Sequence, residues 1–390
     1  MKITMISNYI NHHQIPFSQA LYERIGEDYR FIQTEPMEEE RVAMGWEVDI
    51  TQLPYVVLLD EAPGYARELI EESDILLVGW TRREDLLVQR LAGEKLTIRI
   101  SERLYREGQW KAVSPRGLWA KYREHTRYRK KPVYLLCAGA YVASDFSLVK
   151  AYPNKMFKFG YFPQTKKFTE QELAENHPWP KTRNGGEIQL VWAGRFLPLK
   201  HPEFALWVAE RLKLEGYSFH LHLIGGGELE EEMRAFVSEK KLEDRITFYG
   251  FLKPQEVRRI MEKSHIHLFT SNYLEGWGAV VNEAMNSGCA EVASARAGAV
   301  PFLVRPGENG LIYQKDSFED LLAQVRFLLD NPEQGEKMGK AAYKTIAEEW
   351  NEQEAAVRLL KFYEQWREGR ISPPASGPFS IAGVISPAGS

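Results

Sequence analysis

The chain is a succession of short apolar runs set between amphipathic ones. The first run, "KITMIS" (2–7), predicts a strand; polar "NYINHHQIP" follows, and "PFSQALYERIG" then carries apolar residues at helical spacing. Further apolar runs are "DILLVGW" (74–80), "LTIRIS" (96–101), "PVYLLCAG" (132–139) and "MFKFGYF" (156–162), most of them separated by helix-like segments. After a polar stretch the alternation restarts with "IQLVWAG" (188–194), "SFHLHLIGGG", "RITFYG", "HIHLFTS", "AEVAS" and "GLIYQ". Strand-then-helix order repeated in this way predicts parallel sheets covered on both faces. The second half is the more regular of the two.

The interrupting stretch, "PQTKKFTEQELAENHPWPKTRNGGE" (163–187), is rich in Pro, Asn, Gly and charge and reads as an interdomain linker over 166–186. This divides the chain into a first Rossmann-like domain over 1–165 and a second over 187–350. A C-terminal helix over 351–369 is expected to pack back toward the first domain. The Pro-, Ser-, Gly- and Ala-rich end, 370–390, is expected to be a disordered tail.

Composition narrows the class. A formal net charge of -4 argues against a general nucleic-acid binder. Two cysteines, Cys137 and Cys289, both in apolar runs, are too few for a disulfide framework and read as buried thiols. The N-terminus does not read as a signal peptide, and no apolar run is long enough to predict a transmembrane helix. A cytoplasmic protein is expected, with attachment to the inner face of a membrane left open.

Ligands of open α/β sheets bind beyond the carboxyl ends of the strands, so the chemistry is sought directly after each strand. Arg195 follows "LVWAG" and Lys200 lies five residues on; a guanidinium fork and an ammonium point charge suit a diphosphate. Two ordinary surface cations would give the same pattern. Gly225 opens a glycine triplet where a ligand or another backbone can approach closely, and a tight turn explains it equally well. The dinucleotide fingerprint G-x-G-x-x-G is absent, which disfavours a nicotinamide enzyme. Phe251, after "RITFYG", is a candidate rest for a base, with core packing as its plainer explanation. "LEGWGAVVNEAMNSGC" (274–289) reads as a loop to Gly278 and a helix from Ala279, whose N-terminus is prepared for phosphate. Gly276 and Gly278 keep the approach open. Glu275 precedes that helix and suits sugar hydroxyls; Glu283, two turns in, suits the vicinal hydroxyls of a ribose.

"GRFLPLKHPEFAL", "LHLIGGGELEEEM", "ITFYGFL" and "EGWGAVVNEAMNSGC" fall in the order and spacing of the donor half of retaining glycosyltransferases of family 4, which this chain resembles over about 186–369. The resemblance implies the GT-B architecture: two Rossmann-like doubly wound α/β domains facing a central cleft. It implies that Arg195 and Lys200 bind the donor diphosphate, that Glu283 holds the ribose, and that Glu275 holds donor-sugar hydroxyls near the reacting carbon. Backbone N–H groups around Trp277, Gly278, Ala279 and Val280 would reach the diphosphate. No metal and no further cofactor is implied, the donor being a UDP- or GDP-sugar. The first domain would take the acceptor, a glycan that in such enzymes is often lipid-linked, in capsule, exopolysaccharide or lipopolysaccharide synthesis.

The first half departs from that pattern. Its loop after the first strand, "NYINHHQIP", lacks glycine, and the comparable later loop is "ISERLYREG". His12, His13, Glu102 and Arg103 are therefore the candidates to face the sugar, with packing roles as the alternative. The region 103–131 holds ten Lys or Arg against Glu107 and Glu124, interleaved with Trp110, Leu118, Trp119, Tyr122 and Tyr128. That mixture suits an anionic membrane surface, and a solvated helix face explains it as well. Two other readings stay open: a nucleotide-sugar 2-epimerase of the same fold, and a non-catalytic subunit that binds a sugar nucleotide.

Overall fold

The structure, a computed structural model, describes residues 1–43, 48–181, 185–314 and 317–385. Its described residues divide into two compact units, Met1–Gln164 with 350–385, and Thr165–Glu349.

The first unit is built on seven parallel strands: β1 (Ile3–Ser7), β2 (Tyr29–Gln33), β3 (Val56–Leu58), β4 (Ile75–Val78), β5 (Leu96–Ser101), β6 (Val133–Ala138) and β7 (Met156–Phe159). Their spatial order is β3-β2-β1-β4-β5-β6-β7. The second unit has six parallel strands: β8 (Ile188–Ala193), β9 (Phe219–Ile224), β10 (Ile246–Phe248), β11 (Ile266–Phe269), β12 (Ala290–Ser294) and β13 (Gly310–Tyr313). They lie in the order β10-β9-β8-β11-β12-β13. Strands such as β1, β4 and β11 are buried along their whole length, which is why they read as unbroken apolar runs rather than as alternating ones. In each sheet the order reverses once, between β1 and β4 and between β8 and β11, and such a switch point is where a doubly wound sheet leaves room for a ligand.

Two strands of the first unit escape the apolar-run reading. β2, "YRFIQ", mixes Arg30 and Gln33 into its pattern, and β3 is only three residues long. Pairing with buried β1 holds both in the sheet despite their weak local signal.

The stretch read as a linker is instead part of the second unit. Thr169 and Glu172 form a reciprocal capping box that starts the helix Glu170–Asn176. Leu173 and Trp179 are buried, and Trp179 belongs to the second unit's main core cluster. Lys166 exchanges backbone hydrogen bonds with the Asn286 side-chain amide at 2.8 and 3.0 Å. Residues 182–184 lie outside the described residues.

The C-terminal end likewise departs from expectation over 370–385. Backbone bonds Phe379–Lys158 (2.8 Å), Lys158–Ser380 (2.7 Å) and Ala382–Met156 (3.1 Å) lay the segment antiparallel along β7. It covers the sheet edge that β7 would otherwise expose. Phe379 is 1% exposed, among Phe159 and Phe362, which is a packing role that a Pro- and Gly-rich composition conceals. Residues 386–390 of that stretch are not among those described. The helix Glu352–Arg367 packs on the helix Ile15–Ile25, with Arg24 donating to Gln353 at 2.6 Å. Cys137 and Cys289 are buried free thiols, and burial pushes both upward in pKa.

Candidate active site

The second unit gathers its charged candidates at the β8/β11 switch point. The loop after β8 is sewn to the loop after β11. The Thr270 hydroxyl donates to the Lys200 carbonyl at 2.6 Å, and Asn272 N–H donates to the Leu199 carbonyl at 2.9 Å. Trp192, on β8 and buried, donates its indole N–H to Thr270 at 2.8 Å, so the junction is anchored in the core. The result is an ion pair between Lys200 and Glu275. The sequence placed these two residues in one site with separate roles; the structure joins them directly. Arg195, half-buried, stands at the start of the same loop.

Glycine is required where the strand-end loops meet. Gly225 has φ +124°, and a Cβ on it would come within 1.9 Å of the Gly194 carbonyl oxygen. Its N–H donates to the Gly250 carbonyl at 2.8 Å, while Gly194 N–H donates to Ile224 at 3.0 Å. The ends of β8, β9 and β10 are thus locked by backbone alone. Phe251 is exposed, and its ring edge rests against Gly226.

The helix Ala279–Asn286 opens at Gly278, whose left-handed φ of +90° and contact with the Phe269 ring exclude a side chain. Val281 N–H donates to the Gly278 carbonyl at 3.0 Å, the N–H groups of Ala279 and Val280 precede the first intrahelical bond, and the positive end of the dipole follows Glu275 closely in sequence. Trp277 turns inward: it is 1% exposed, donates its indole N–H to Asn282 at 2.8 Å and lies against Phe302. Its side chain packs, so any ligand contact falls to its backbone. Gly298 and Ala299 N–H groups clamp the carbonyls of Gly276 and Trp277 at 3.1 and 3.0 Å, a support that the sequence did not reveal.

Glu283 is half-buried on this helix, and among the described residues its carboxylate makes no hydrogen bond or ion pair. Burial raises its pKa, while Arg258 and His267 pull it back. Arg258 is itself buried and donates to Asn286 at 2.7 Å; desolvation lowers its pKa against the pull of Glu283 and Glu262. A carboxylate in such surroundings is costly unless a partner arrives.

The first unit gathers a different set. Tyr161, just past β7, donates its hydroxyl to Glu102 at 2.6 Å and stacks on His13 with centroids 5.9 Å apart. Arg106 pairs with the same Glu102, and His12 lies against His13. Burial and Arg41 lower His12 to about 4; burial, His12 and Arg41 hold His13 well below the usual imidazole range. Both rings are therefore neutral near pH 7. Tyr161 and Arg106 were not singled out by the sequence; only their neighbours were. Arg103 departs from expectation: it is buried against fully buried Asp145 at 3.3 Å and donates to the Tyr105 carbonyl at 3.1 Å, which commits it to the fold.

In 103–131 the short helix Pro115–Glu124 carries most of the exposed aromatic surface. Trp110 is 69% and Trp119 61% exposed, with Leu118 and Tyr122 also outside and Trp119 stacked on Tyr122. Tyr128 is buried beneath, so it is not part of that face. No helix among the described residues is long and apolar enough to cross a membrane. No cluster of three or more His, Cys, Asp or Glu is placed among them to hold a metal ion.

Both sheets, with their single reversals, define a pair of Rossmann-like α/β units, and the solved structures that match are of that architecture. One is the Anabaena protein Alr3699/HepE in complex with UDP, with TM-score 0.64, 14% identity, and coverage of 95% of this chain and 99% of that one. Another is a glycosyltransferase from Rickettsia africae, with TM-score 0.66, 13% identity, and coverage of 93% and 98%. At these identities the likeness is one of fold. Residues 174–345 match the family described as glycosyl transferases group 1. Among curated relatives, spore coat protein SA of Bacillus subtilis is 26% identical over 197 residues, 50% of this chain and 43% of that protein. The putative colanic acid biosynthesis glycosyltransferase WcaL of Salmonella typhimurium is 25% identical over 175 residues, 43% of each. The chain spans less than half the length of these relatives.

Proposed function

We propose that the chain is a retaining, metal-independent glycosyltransferase that moves a hexose from a UDP- or GDP-sugar to a glycan hydroxyl in bacterial surface-polysaccharide synthesis. The observation that carries the reading is the half-buried Glu283 carboxylate, which has no hydrogen-bond or ion-pair partner among the described residues and follows Glu275 of the Lys200–Glu275 pair by eight positions. Glu283 accepts hydrogen bonds from the ribose hydroxyls. Arg195, Lys200 and the N–H groups at Gly278–Val280 receive the diphosphate, and their charge stabilises it as it leaves. Glu275, paired with Lys200, turns its remaining oxygen to the donor sugar. The bond between the sugar's anomeric carbon and the phosphate oxygen breaks, its electron pair passing to the diphosphate. The acceptor oxygen bonds to the same face of that carbon, and its proton goes to the departing phosphate. The UDP complex of the Anabaena neighbour and the polysaccharide role in the WcaL name make UDP-sugars and surface glycans the first to try.

The acceptor is assigned to the first unit, whose neutral His12 and His13, with Tyr161 and Glu102, offer uncharged and anionic hydrogen-bond groups to sugar hydroxyls. Contact with an anionic membrane through Trp110, Leu118 and Trp119 would bring a lipid-linked acceptor near. The test is a panel of nucleotide sugars, each incubated with and without acceptor glycans. Transfer with retained anomeric configuration supports the reading. Epimer formed without acceptor, or no binding of any nucleotide sugar at millimolar concentration, overturns it.

A further inference from the structure

Behind Glu283 lies a buried pair that the reaction above does not use. His267 on β11 and Glu291 on β12 are direct neighbours in the sheet register, and both are fully buried. The imidazole Nδ1 lies 2.8 and 3.0 Å from the two carboxylate oxygens of Glu291. The other nitrogen, Nε2, is buried and has no hydrogen-bond partner. A charge-capable pair sealed in a parallel sheet is costly beside an apolar pair of the same shape, so its presence asks for a use.

Its position supplies one. His267 is also in register with Val191 of β8. Val191 packs with Ala284, and Val280 flanks the same cluster. Val280, Glu283 and Ala284 form one stripe of the helix Ala279–Asn286. The turn bearing Glu283 is thereby set over the sheet face that carries His267.

We propose that His267, held by Glu291, is a positioning residue for Glu283: donating from both ring nitrogens, it presents Nε2–H behind that carboxylate and keeps it ionised and aimed at a diol. This rests on the reading of Glu283 as the ribose-binding group. The pull of His267 on the Glu283 carboxyl, against the upward push of burial, agrees in direction. The other groups around the helix are Arg258 on the helix Pro254–Met261, Glu262 directly after that helix, the Cys289 thiol, and Lys166, which pairs with Glu262. Arg258 also favours the ionised form of Glu283, and its side chain is shared with Asn286. The test must therefore isolate His267.

The double substitution His267→Phe with Glu291→Val fills the same space without orphaning a buried charge. Binding of UDP, GDP and ADP is measured by calorimetry from pH 5.5 to 8.5 for the wild type, the double variant, Glu283→Gln, and the three changes combined. Loss of His267 raises the pH below which Glu283 is protonated. The double variant should then lose nucleotide affinity at a higher pH than the wild type does, by up to about tenfold per unit of pH once Glu283 takes up its proton. Glu283→Gln should bind weakly without that pH dependence, and adding the double substitution should change nothing more. If the wild type binds a nucleotide and the double variant follows the same pH profile, His267 is packing alone and the inference fails while the donor site stands. If the wild type binds none of the three, the donor reading fails and takes the inference with it. Should the double variant not fold, Glu291→Gln decides by the same profile, with a smaller shift expected and an unchanged profile overturning the proposal.

Discussion

The two units share a strand order and differ in what they place at the strand ends. At the β8/β11 switch the second unit presents cations, carboxylates and backbone N–H groups, set by loops that glycine alone can build. The strand ends of the first unit present neutral imidazoles, a tyrosine hydroxyl and a carboxylate already paired with Arg106. One topology thus serves two chemistries. Cations and a helix end suit a phosphate that gains charge during reaction. Neutral, pre-bonded groups suit sugar hydroxyls that do not.

The strongest way to break this contrast is to remove charge from the second unit. Lys200→Ala and Glu275→Ala should each lower kcat of transfer by about 10²–10³, the scale of losing one preorganised electrostatic contact. Because the two side chains are paired, the double variant should cost clearly less than the product of the single losses. Initial rates at saturating donor decide this. Independent, fully multiplicative effects would mean that the pair does not act as a unit.

A second test concerns the glycine-built loops. Gly225→Ala places a methyl against the Gly194 carbonyl at a backbone angle that L-residues resist. It should destabilise the protein by about 2–3 kcal/mol. Gly250 also has a positive φ, +66°, but nothing within 4 Å, and Gly250→Ala should cost only about 1 kcal/mol. Thermal or denaturant unfolding of the two variants gives the comparison directly.

These loops also show what could be read before the structure. The second unit was legible because its strands read as apolar runs and charged residues stand in the loops after them, as at Arg195 and Glu275. The first unit was less so. β2 carries Arg30 and Gln33, and β3 spans three residues, so both depend on tertiary pairing that no local pattern encodes. Arg103 and Tyr128 looked like surface groups because their buried partners are distant in sequence or hidden by the fold, Asp145 lying 42 residues away. Trp277 could not be assigned from its neighbours, since its packing against Phe302 comes from a separate short helix, Val300–Leu303. The tail from 370 was misread because composition reports what a segment cannot bury alone, not what a sheet edge can bury for it.

A smaller effect tests the proposed assignment of acceptor to the first unit and diphosphate to the second. Tyr161→Phe removes the hydroxyl that donates to Glu102 and should cost about 0.5–1.5 kcal/mol of stability. Its functional mark should be a raised KM for acceptor with nucleotide affinity unchanged. A loss of nucleotide affinity equal to the loss for acceptor would contradict the division of labour between the units.

The smallest effect on the fold belongs to Trp119, whose side chain is mostly outside. Trp119→Ala should change unfolding free energy by less than about 0.5 kcal/mol, since little burial is lost. Its effect should appear on a surface instead. Arg116 and Arg123 lie on the same short helix, so the face combines apolar rings with positive charge. Sedimentation with vesicles containing anionic phosphatidylglycerol should show binding by the wild type that weakens in Trp119→Ala and in high salt, and that is absent for neutral phosphatidylcholine vesicles. Binding equal for both vesicle types, or unaffected by the substitution, would make this helix a solvated face and would leave the first unit to find its acceptor through the strand-end cluster alone.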